Sequence, residues 1–151
     1  MNKTEVISQF NLSKIQVEKI DFFITSLINY NTHTNLIGKS TLDNFWDRHI
    51  LDCLQLTNYI NNKKLKIIDL GTGAGLPGIL LSIFGYQRVV MVDSVKKKTD
   101  FVRKIIKELS LTAKIQNKRI EKTPTSHHDI IVSRALAPLL KLRVRVFDLR
   151  D

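Results

Sequence analysis

Cysteine and long apolar runs are scarce in this chain of 151 residues. The single cysteine, Cys53, cannot form an internal disulfide, and such low cysteine content is typical of a reducing compartment. No apolar run approaches the length of about 20 residues that spans a bilayer. Residues 1–5 also lack the apolar stretch of a secretory signal. We therefore expect a cytoplasmic protein without a membrane segment, in which Cys53 is a small core residue.

Acidic residues are also few, at 14 against 24 lysines and arginines, which gives a net charge of +10 and a pI near 9.9. Such a charge favours a polyanionic partner such as RNA, although AT-biased coding would produce the same abundance of lysine without selection for binding. Two basic clusters stand out. The first lies on one amphipathic segment and the second follows it: Lys96, Lys97, Lys98, Arg103, Lys104 and Lys107, then Lys114, Lys118, Arg119 and Lys122. These clusters either bind phosphates or are simply solvated.

Glycine is rare too, yet three of the six glycines occupy positions 71, 73 and 75, directly after the apolar run and carboxylate at 67–70. Glycines at such a turn let the backbone approach a ligand closely, and the N-terminus of the next helix favours an anionic group. The pattern therefore predicts a nucleotide-type cofactor loop between a strand and a helix.

The spacing of this loop narrows the cofactor class. A dinucleotide-binding loop places its third glycine where this chain has Leu76, and a phosphate loop needs Lys and Ser or Thr where this chain has Leu76 and Pro77. What remains is the D-x-G-x-G-x-G pattern of methyltransferases that use S-adenosylmethionine. Asp93 ends the next apolar run, about twenty residues further on, where a carboxylate can accept from two ribose hydroxyls.

Hydrophobic periodicity divides the chain into two parts. Residues 1–62 have helical spacing, with a capping-box pattern at Ser13 and Gln16, a polar turn-like stretch at 29–35 and a further helix starting near Thr41. Residues 63–151 alternate strands with helices, which indicates a parallel α/β sheet. We predict strands at 65–70, 88–93, 112–116 and 129–133, Pro77 in the first turn of one helix and Ser94 as the cap of the next. The helical extension should form one globular unit with the sheet.

Several longer segments are similar to one known family, the bacterial small-subunit (16S) ribosomal RNA guanine-N7 methyltransferase G, also called glucose-inhibited division protein B. The glycine loop is generic, whereas its extension to Gly78 and the segment at 48–52 are specific. The segments that carry the resemblance lie at 34–36, 48–52, 69–78, 93–94, 118–121 and 133–135. It covers about residues 15–140. The resemblance implies a Rossmann-like S-adenosylmethionine-dependent methyltransferase fold with an N-terminal helical extension and small-subunit rRNA as the partner.

The same resemblance implies the site residues. Gly71 and Leu76 would line the S-adenosylmethionine pocket, Ile120 and Glu121 would flank the adenine, and Arg134 would close the site after the fourth strand. Gly73 and Asp93 belong to the site by the chemistry above. Ordinary structural roles remain open for three of them: Ile120 in the core, Glu121 as a partner of a nearby lysine, and Arg134 paired with Asp129.

The C-terminal segment departs from the family pattern. Residues 142–150 no longer match it, and their alternation of valine and arginine suits an edge strand or a frayed tail. We interpret the chain as a truncated product that lacks the C-terminal strands of the sheet, with the fourth strand left as an exposed edge. The alternatives are therefore an inactive remnant with residual cofactor or RNA binding, a small-molecule methyltransferase and, less favoured because of Leu76, a nicotinamide enzyme.

No catalytic side chain is assigned. Guanine N7 has an in-plane lone pair and no proton, so methyl transfer to it requires alignment and tolerance of moving charge rather than a general base. We interpret His49 as a structural histidine on a buried helix face. Since neighbouring strand residues point to opposite faces, His127 and His128 do not form a metal pair, and no metal is expected.

Overall fold

The computed structural model describes residues 1–34, 36, 44–133 and 145–150. The N-terminal part is helical. Its elements are α1 (Lys3–Gln9), α2 (Lys14–Thr34), a π-helical turn (Trp46–Ile50), α3 (Leu51–Gln55) and a 3-10 turn (Leu56–Asn58). The sheet part follows. It contains β1 (Lys66–Leu70), α4 (Gly78–Ile83), β2 (Arg88–Asp93), α5 (Lys96–Glu108), β3 (Lys114–Asn117), a 3-10 turn (Ile120–Lys122), β4 (Ile130–Ser133) and β5 (Arg145–Asp148).

The five strands form one sheet in the order β3-β2-β1-β4-β5. The first four pair in parallel: Ile68 lies beside Val90 of β2 on one side and Ile131 of β4 on the other. β5 pairs antiparallel with β4, so β4 is not the exposed edge that the sequence predicted. The four predicted strands are confirmed, with ends that shift by at most about two residues, which is the usual uncertainty of strand boundaries.

Packing explains where the helical prediction was wrong. The stretch 29–35 was expected to be a turn, yet α2 continues to Thr34. The Tyr30 ring packs 5.1 Å from that of Phe101, and Asn31 is buried. The Thr34 carbonyl accepts a hydrogen bond from Lys97 Nζ at 2.9 Å. These contacts with α5 outweigh the weak helix propensity of the polar residues.

Other predictions about helix ends have mixed outcomes. The capping box is confirmed: the Gln16 amide donates to Ser13 Oγ at 3.1 Å, and the Ser13 amide donates to Gln16 Oε1 at 2.9 Å. Ser94 does not cap α5, because the helix begins one residue later with Val95 at its N-cap. Pro77 lies at the N-cap of α4. The predicted helix start at Thr41 lies outside the described residues.

The main core fills one face of the sheet, between the strands and helices α2, α4 and α5. Phe23 and Phe101 are fully buried there with ring centroids 6.3 Å apart, and each such side chain contributes about 1.5–3 kcal/mol through burial. A smaller cluster lies on the other face around Ile68, Leu70 and Val92. The helical part and the sheet share the main core, while a division at residue 62 stays a prediction. No helix in the described part of the chain is long and apolar enough to cross a membrane.

Candidate functional site

The loop after β1 is closed by a fully buried carboxylate, Asp69. Asp69 Oδ2 accepts hydrogen bonds from Thr72 Oγ1 at 2.6 Å and from the Gly78 amide at 2.9 Å. These bonds join the start of the glycine loop to the first residue of α4. Because hydrogen bonds to a charged group are among the stronger ones, Asp69 fixes the shape of the loop rather than facing a ligand.

Glycines in this loop serve two different purposes. Gly71, Gly73 and Gly75 all have positive φ. At Gly73, with φ +61°, a Cβ would meet nothing within 4 Å, so the space beside this residue is open. At Gly78, by contrast, a Cβ would collide with the Met91 side chain and lie 2.9 Å from Asp69 Oδ2. Gly78 therefore provides the close helix–strand packing, a role that the loop spacing did not reveal.

Asp93 connects the ends of β1 and β2. Its Oδ2 accepts from the Gly73 amide and its Oδ1 from the Val95 amide, each at 2.9 Å. The carboxylate is 9% exposed and sits directly beside the open space at Gly73. The structure thus brings Gly73 and Asp93 together, as their roles in the predicted site require.

The segment after β3 lies beside Asp93, at the carboxyl end of the parallel strands. The Lys118 amide and Asn117 Nδ2 both donate to the Asp93 carbonyl, at 3.0 and 3.3 Å, and Asn117 Nδ2 also lies 3.4 Å from Thr99 Oγ1. Asn117 and Thr99 were missed in the sequence. Nothing in the sequence specified which side chain of the neighbouring strand would meet Asp93.

The remaining predicted site residues have different surroundings. Ile120 is half-buried against the smaller cluster around Ile68, and Glu121 is exposed. Leu76 is 6% exposed and belongs to the main core. The Gly71 amide donates to the Val92 carbonyl at 2.8 Å. Arg134 lies outside the described residues, so its assignment stays a prediction.

Cys53 and His49 are the two other reactive side chains that the sequence analysis interpreted as structural. Cys53 is buried in the main core, as predicted. His49 is buried, with its ring 4.9 Å from that of Phe45. Among the described residues, no group of three His, Cys, Asp or Glu side chains could hold a metal ion.

Comparison with known proteins identifies the family. A family model described as rRNA small subunit methyltransferase G matches residues 16–149. The chain belongs to this family. It is a family of S-adenosylmethionine-dependent methyltransferases, which confirms the predicted enzyme class and cofactor. The match also extends to residue 149, so the expectation that the resemblance ends near residue 140 was wrong.

Individual relatives support the same assignment. Ribosomal RNA small subunit methyltransferase G of Cereibacter sphaeroides (strain ATCC 17029) is 37% identical over 144 residues, which cover 92% of this chain and 70% of the relative. The protein of that name from Orientia tsutsugamushi (strain Ikeda) is 38% identical, covering 86% of this chain and 65% of its own length. That from Rickettsia prowazekii (strain Madrid E) is 44% identical over 106 residues, or 70% of this chain and 56% of the relative. The chain therefore spans a little more than half to about 70% of these relatives.

Solved structures support the fold. Coclaurine N-methyltransferase, bound to N-methylheliamine and SAH, has a TM-score of 0.56 at 12% identity and covers 87% of this chain and 50% of its own. The YcgJ protein from Bacillus subtilis has a TM-score of 0.52 at 21% identity, covering 57% of this chain and 38% of its own. At these identities the likeness shows the fold alone, and it agrees with the Rossmann-like prediction.

Proposed function

We propose that this chain transfers a methyl group from S-adenosylmethionine to N7 of a guanosine in small-subunit (16S) rRNA, in the cytoplasm. The observation that carries the proposal is the pairing of Asp93 with Gly73 at the carboxyl edge of the sheet, in a chain of this rRNA methyltransferase family.

The carboxyl end of the sheet has the properties that cofactor binding requires. Each Asp93 oxygen accepts one backbone hydrogen bond, and a carboxylate oxygen has two lone pairs, so both oxygens retain capacity for ribose hydroxyls. The open space beside Gly73 gives the cofactor room close to the backbone. We assign Gly71, Leu76, Ile120 and Glu121 to the surrounding pocket, with Arg134 beyond β4.

This chemistry asks the protein for position more than for proton transfer. S-adenosylmethionine supplies a methyl group on a positively charged sulfur, and as the methyl passes to N7 the C–S electron pair stays on sulfur. Asp93 and the loop backbone would fix the donor, and the substrate base would be aligned against it. Aligning the two reactants in this way lowers the activation barrier of methyl transfer substantially, without a general base.

Basic side chains beside this edge suit an RNA substrate. Lys118, Arg119 and Lys122 are exposed, and in the described part of the chain none of them forms an ion pair. On α5, by contrast, Lys96 and Arg103 pair with Asp100, and Lys104 lies 3.9 Å from Glu108. We infer that the cations after β3 contact RNA phosphates more than the middle of α5 does.

A matched pair of double variants tests this inference. We expect K118Q/R119Q to weaken binding to a labelled small-subunit rRNA fragment and to reduce the slope of log affinity against log salt by about 1.5–2. R103Q/K104Q removes the same charge and should change the slope much less. Fluorescence anisotropy across a salt series measures both, and equal slopes for the two variants would contradict the assignment.

The activity itself is tested by mass spectrometry. Purified protein is incubated with S-adenosylmethionine and with rRNA from a strain that lacks its own enzyme of this family, as naked RNA in one arm and as assembled subunits in the other. We expect new N7-methylguanosine in at least one arm, and less of it with D93N at limiting cofactor. Cofactor binding without N7-methylguanosine in either arm would favour an inactive remnant, and methylation of small molecules alone would favour the other enzyme class.

A further inference from the structure

A second concentration of positive charge lies at the opposite, amino-terminal end of the same sheet. Lys66, Arg88 and Lys114 each begin one of three neighbouring strands. Lys66 pairs in register with Arg88, and Lys114 pairs with Val90. Residues in register, and residues two apart on a strand, share a face of the sheet. The three basic side chains therefore lie on one face, the face on which Ile120 packs further along.

This arrangement does not serve the stability of the sheet. Like charges on directly opposed strand positions are destabilising. Within the described ranges, none of the three side chains forms an ion pair. Asp129 Oδ2 accepts a hydrogen bond from the backbone amide of Lys66 at 2.8 Å, rather than forming an ion pair with the Lys66 side chain. Three exposed cations thus lie on one face of the sheet, and no acid among the described residues forms an ion pair with them.

A cavity of about 310 Å³ lies among these cations. Basic, polar and apolar residues line this cavity: Lys66, Gln87, Arg88, Val89, Val90, Thr112, Lys114 and His128. Val90, on the same face as Arg88, is half-buried, so the floor is apolar while the walls are cationic.

His128 also lines this cavity. Its Nδ1 is buried and has no hydrogen-bond partner in the described part of the chain. Burial lowers the pKa of the imidazole; His127 and Lys66 lower it further, while the Thr125 backbone and Asp129 oppose this. The ring is therefore uncharged near neutral pH and can present a neutral N–H donor or an acceptor, depending on its tautomer.

We propose that Lys66, Arg88, Lys114 and His128 form a second phosphate-binding site, which takes a phosphodiester of the RNA substrate at the end of the sheet opposite the cofactor loop. The proposal rests on the proposed function for the identity of the RNA. Arginine and lysine are the cationic side chains that commonly bind phosphate, and phosphate contacts orient nucleic acid without reading its sequence.

The position of this site sets the size of the ligand. Arg88 and Asp93 stand at the two ends of β2, five residue steps apart, which is about 16 Å at 3.3 Å per step. A single nucleotide is too short to reach from one end to the other, whereas several nucleotides of an RNA chain can. The exposed cations at 118, 119 and 122 lie at the cofactor end, so the two basic groups together would hold an extended stretch of RNA.

The test compares two double variants that remove equal charge. R88Q/K114Q removes two cations of the proposed site, and K14Q/K19Q removes two cations of α2. Anisotropy with the small-subunit rRNA fragment should show affinity reduced roughly tenfold at low salt and a salt slope reduced by about 1.5–2 for R88Q/K114Q only. Thermal unfolding confirms that both variants are folded. Equal affinities and slopes for the two variants would overturn the proposal.

A second arm separates an RNA site from a site for free phosphate. Inorganic phosphate is titrated while the imidazole resonances of His128 are followed by NMR. Under the proposal the RNA fragment shifts these resonances at far lower concentration than phosphate does. A response to phosphate at low concentration, with none to RNA, would overturn it.

Cofactor titration and N7-methylguanosine formation are measured on the same R88Q/K114Q protein. Cofactor binding should be unchanged, and methylation should recover at saturating RNA. If methylation proceeds while R88Q/K114Q matches K14Q/K19Q, the second site fails and the proposed function stands. If the unmodified chain binds cofactor but no RNA, both fail.

Discussion

The two ends of the parallel sheet are built on opposite principles. At the carboxyl end, the carboxylates Asp69 and Asp93 are buried and accept hydrogen bonds from the loop backbone. At the amino end, Lys66, Arg88 and Lys114 are exposed, and no described acid forms an ion pair with them. One end is therefore organised before any ligand arrives, and the other depends on an external anion. Substitutions at the carboxyl end should therefore lower the free energy of unfolding, whereas substitutions at the amino end should change the salt dependence of RNA binding.

Removing the buried carboxylate of Asp69, which holds the glycine loop, should have the largest effect on stability. D69A leaves the Gly78 amide and the Thr72 hydroxyl without their buried acceptor. Loss of charged hydrogen bonds and unsatisfied donors together should lower the free energy of unfolding by about 3 kcal/mol or more. Urea unfolding measures this, with D100A at the half-exposed Asp100 of α5 as the matched control. A loss below about 1 kcal/mol would mean that Asp69 does not hold the loop.

A pair of glycine variants separates strain from ligand contact. Gly73 and Gly85 both have positive φ, and a Cβ at either would meet no atom closer than 3.5 Å. G73A and G85A should therefore each cost about 1 kcal/mol of stability through left-handed strain. Only G73A should also weaken S-adenosylmethionine binding, because its methyl group would occupy the open space beside Asp93. Equal cofactor affinities for the two variants would place the cofactor elsewhere.

The smallest effect is expected at the amino end. R88Q/K114Q removes repulsion between neighbouring strands, so the free energy of unfolding should stay the same or rise by a few tenths of a kcal/mol. Urea unfolding at low salt measures the change. A loss above about 1 kcal/mol would show that these cations stabilise the fold and would remove the contrast between the two ends.

Much of the carboxyl end could be predicted from the sequence, because local patterns encode it. The alternation of strands with helices predicted the bounds of β1 and β2 to within one residue. The spacing from the glycine loop to Asp93 predicted that Asp93 lies near this loop. The clamp function of Asp69 and the packing of Gly78 on Met91 could not be predicted, since both depend on side chains that meet only in the folded state. The same holds for Asn117, which donates to the Asp93 carbonyl from the neighbouring strand.

Tertiary contacts explain the remaining differences. The polar composition of residues 29–35 predicted a turn, whereas contacts with α5 keep α2 helical as far as Thr34. The register that brings Lys66 beside Arg88 is a property of strand pairing and is not visible in their distant sequence positions. The alternation of valine and arginine at 142–150 suited an edge strand or a frayed tail, and the structure shows the strand, β5, whose partner β4 the sequence did not specify.

The most direct test of the central claim, that the carboxyl end of the sheet binds S-adenosylmethionine through Asp93, is a calorimetric titration of the cofactor into the unmodified chain, D93N and D100N. We expect one binding site in the unmodified chain and in D100N, and affinity at least about tenfold lower in D93N, because a charge-assisted hydrogen bond contributes about 1.5–3 kcal/mol. Equal affinity in D93N and D100N, with both proteins folded, would contradict the assignment.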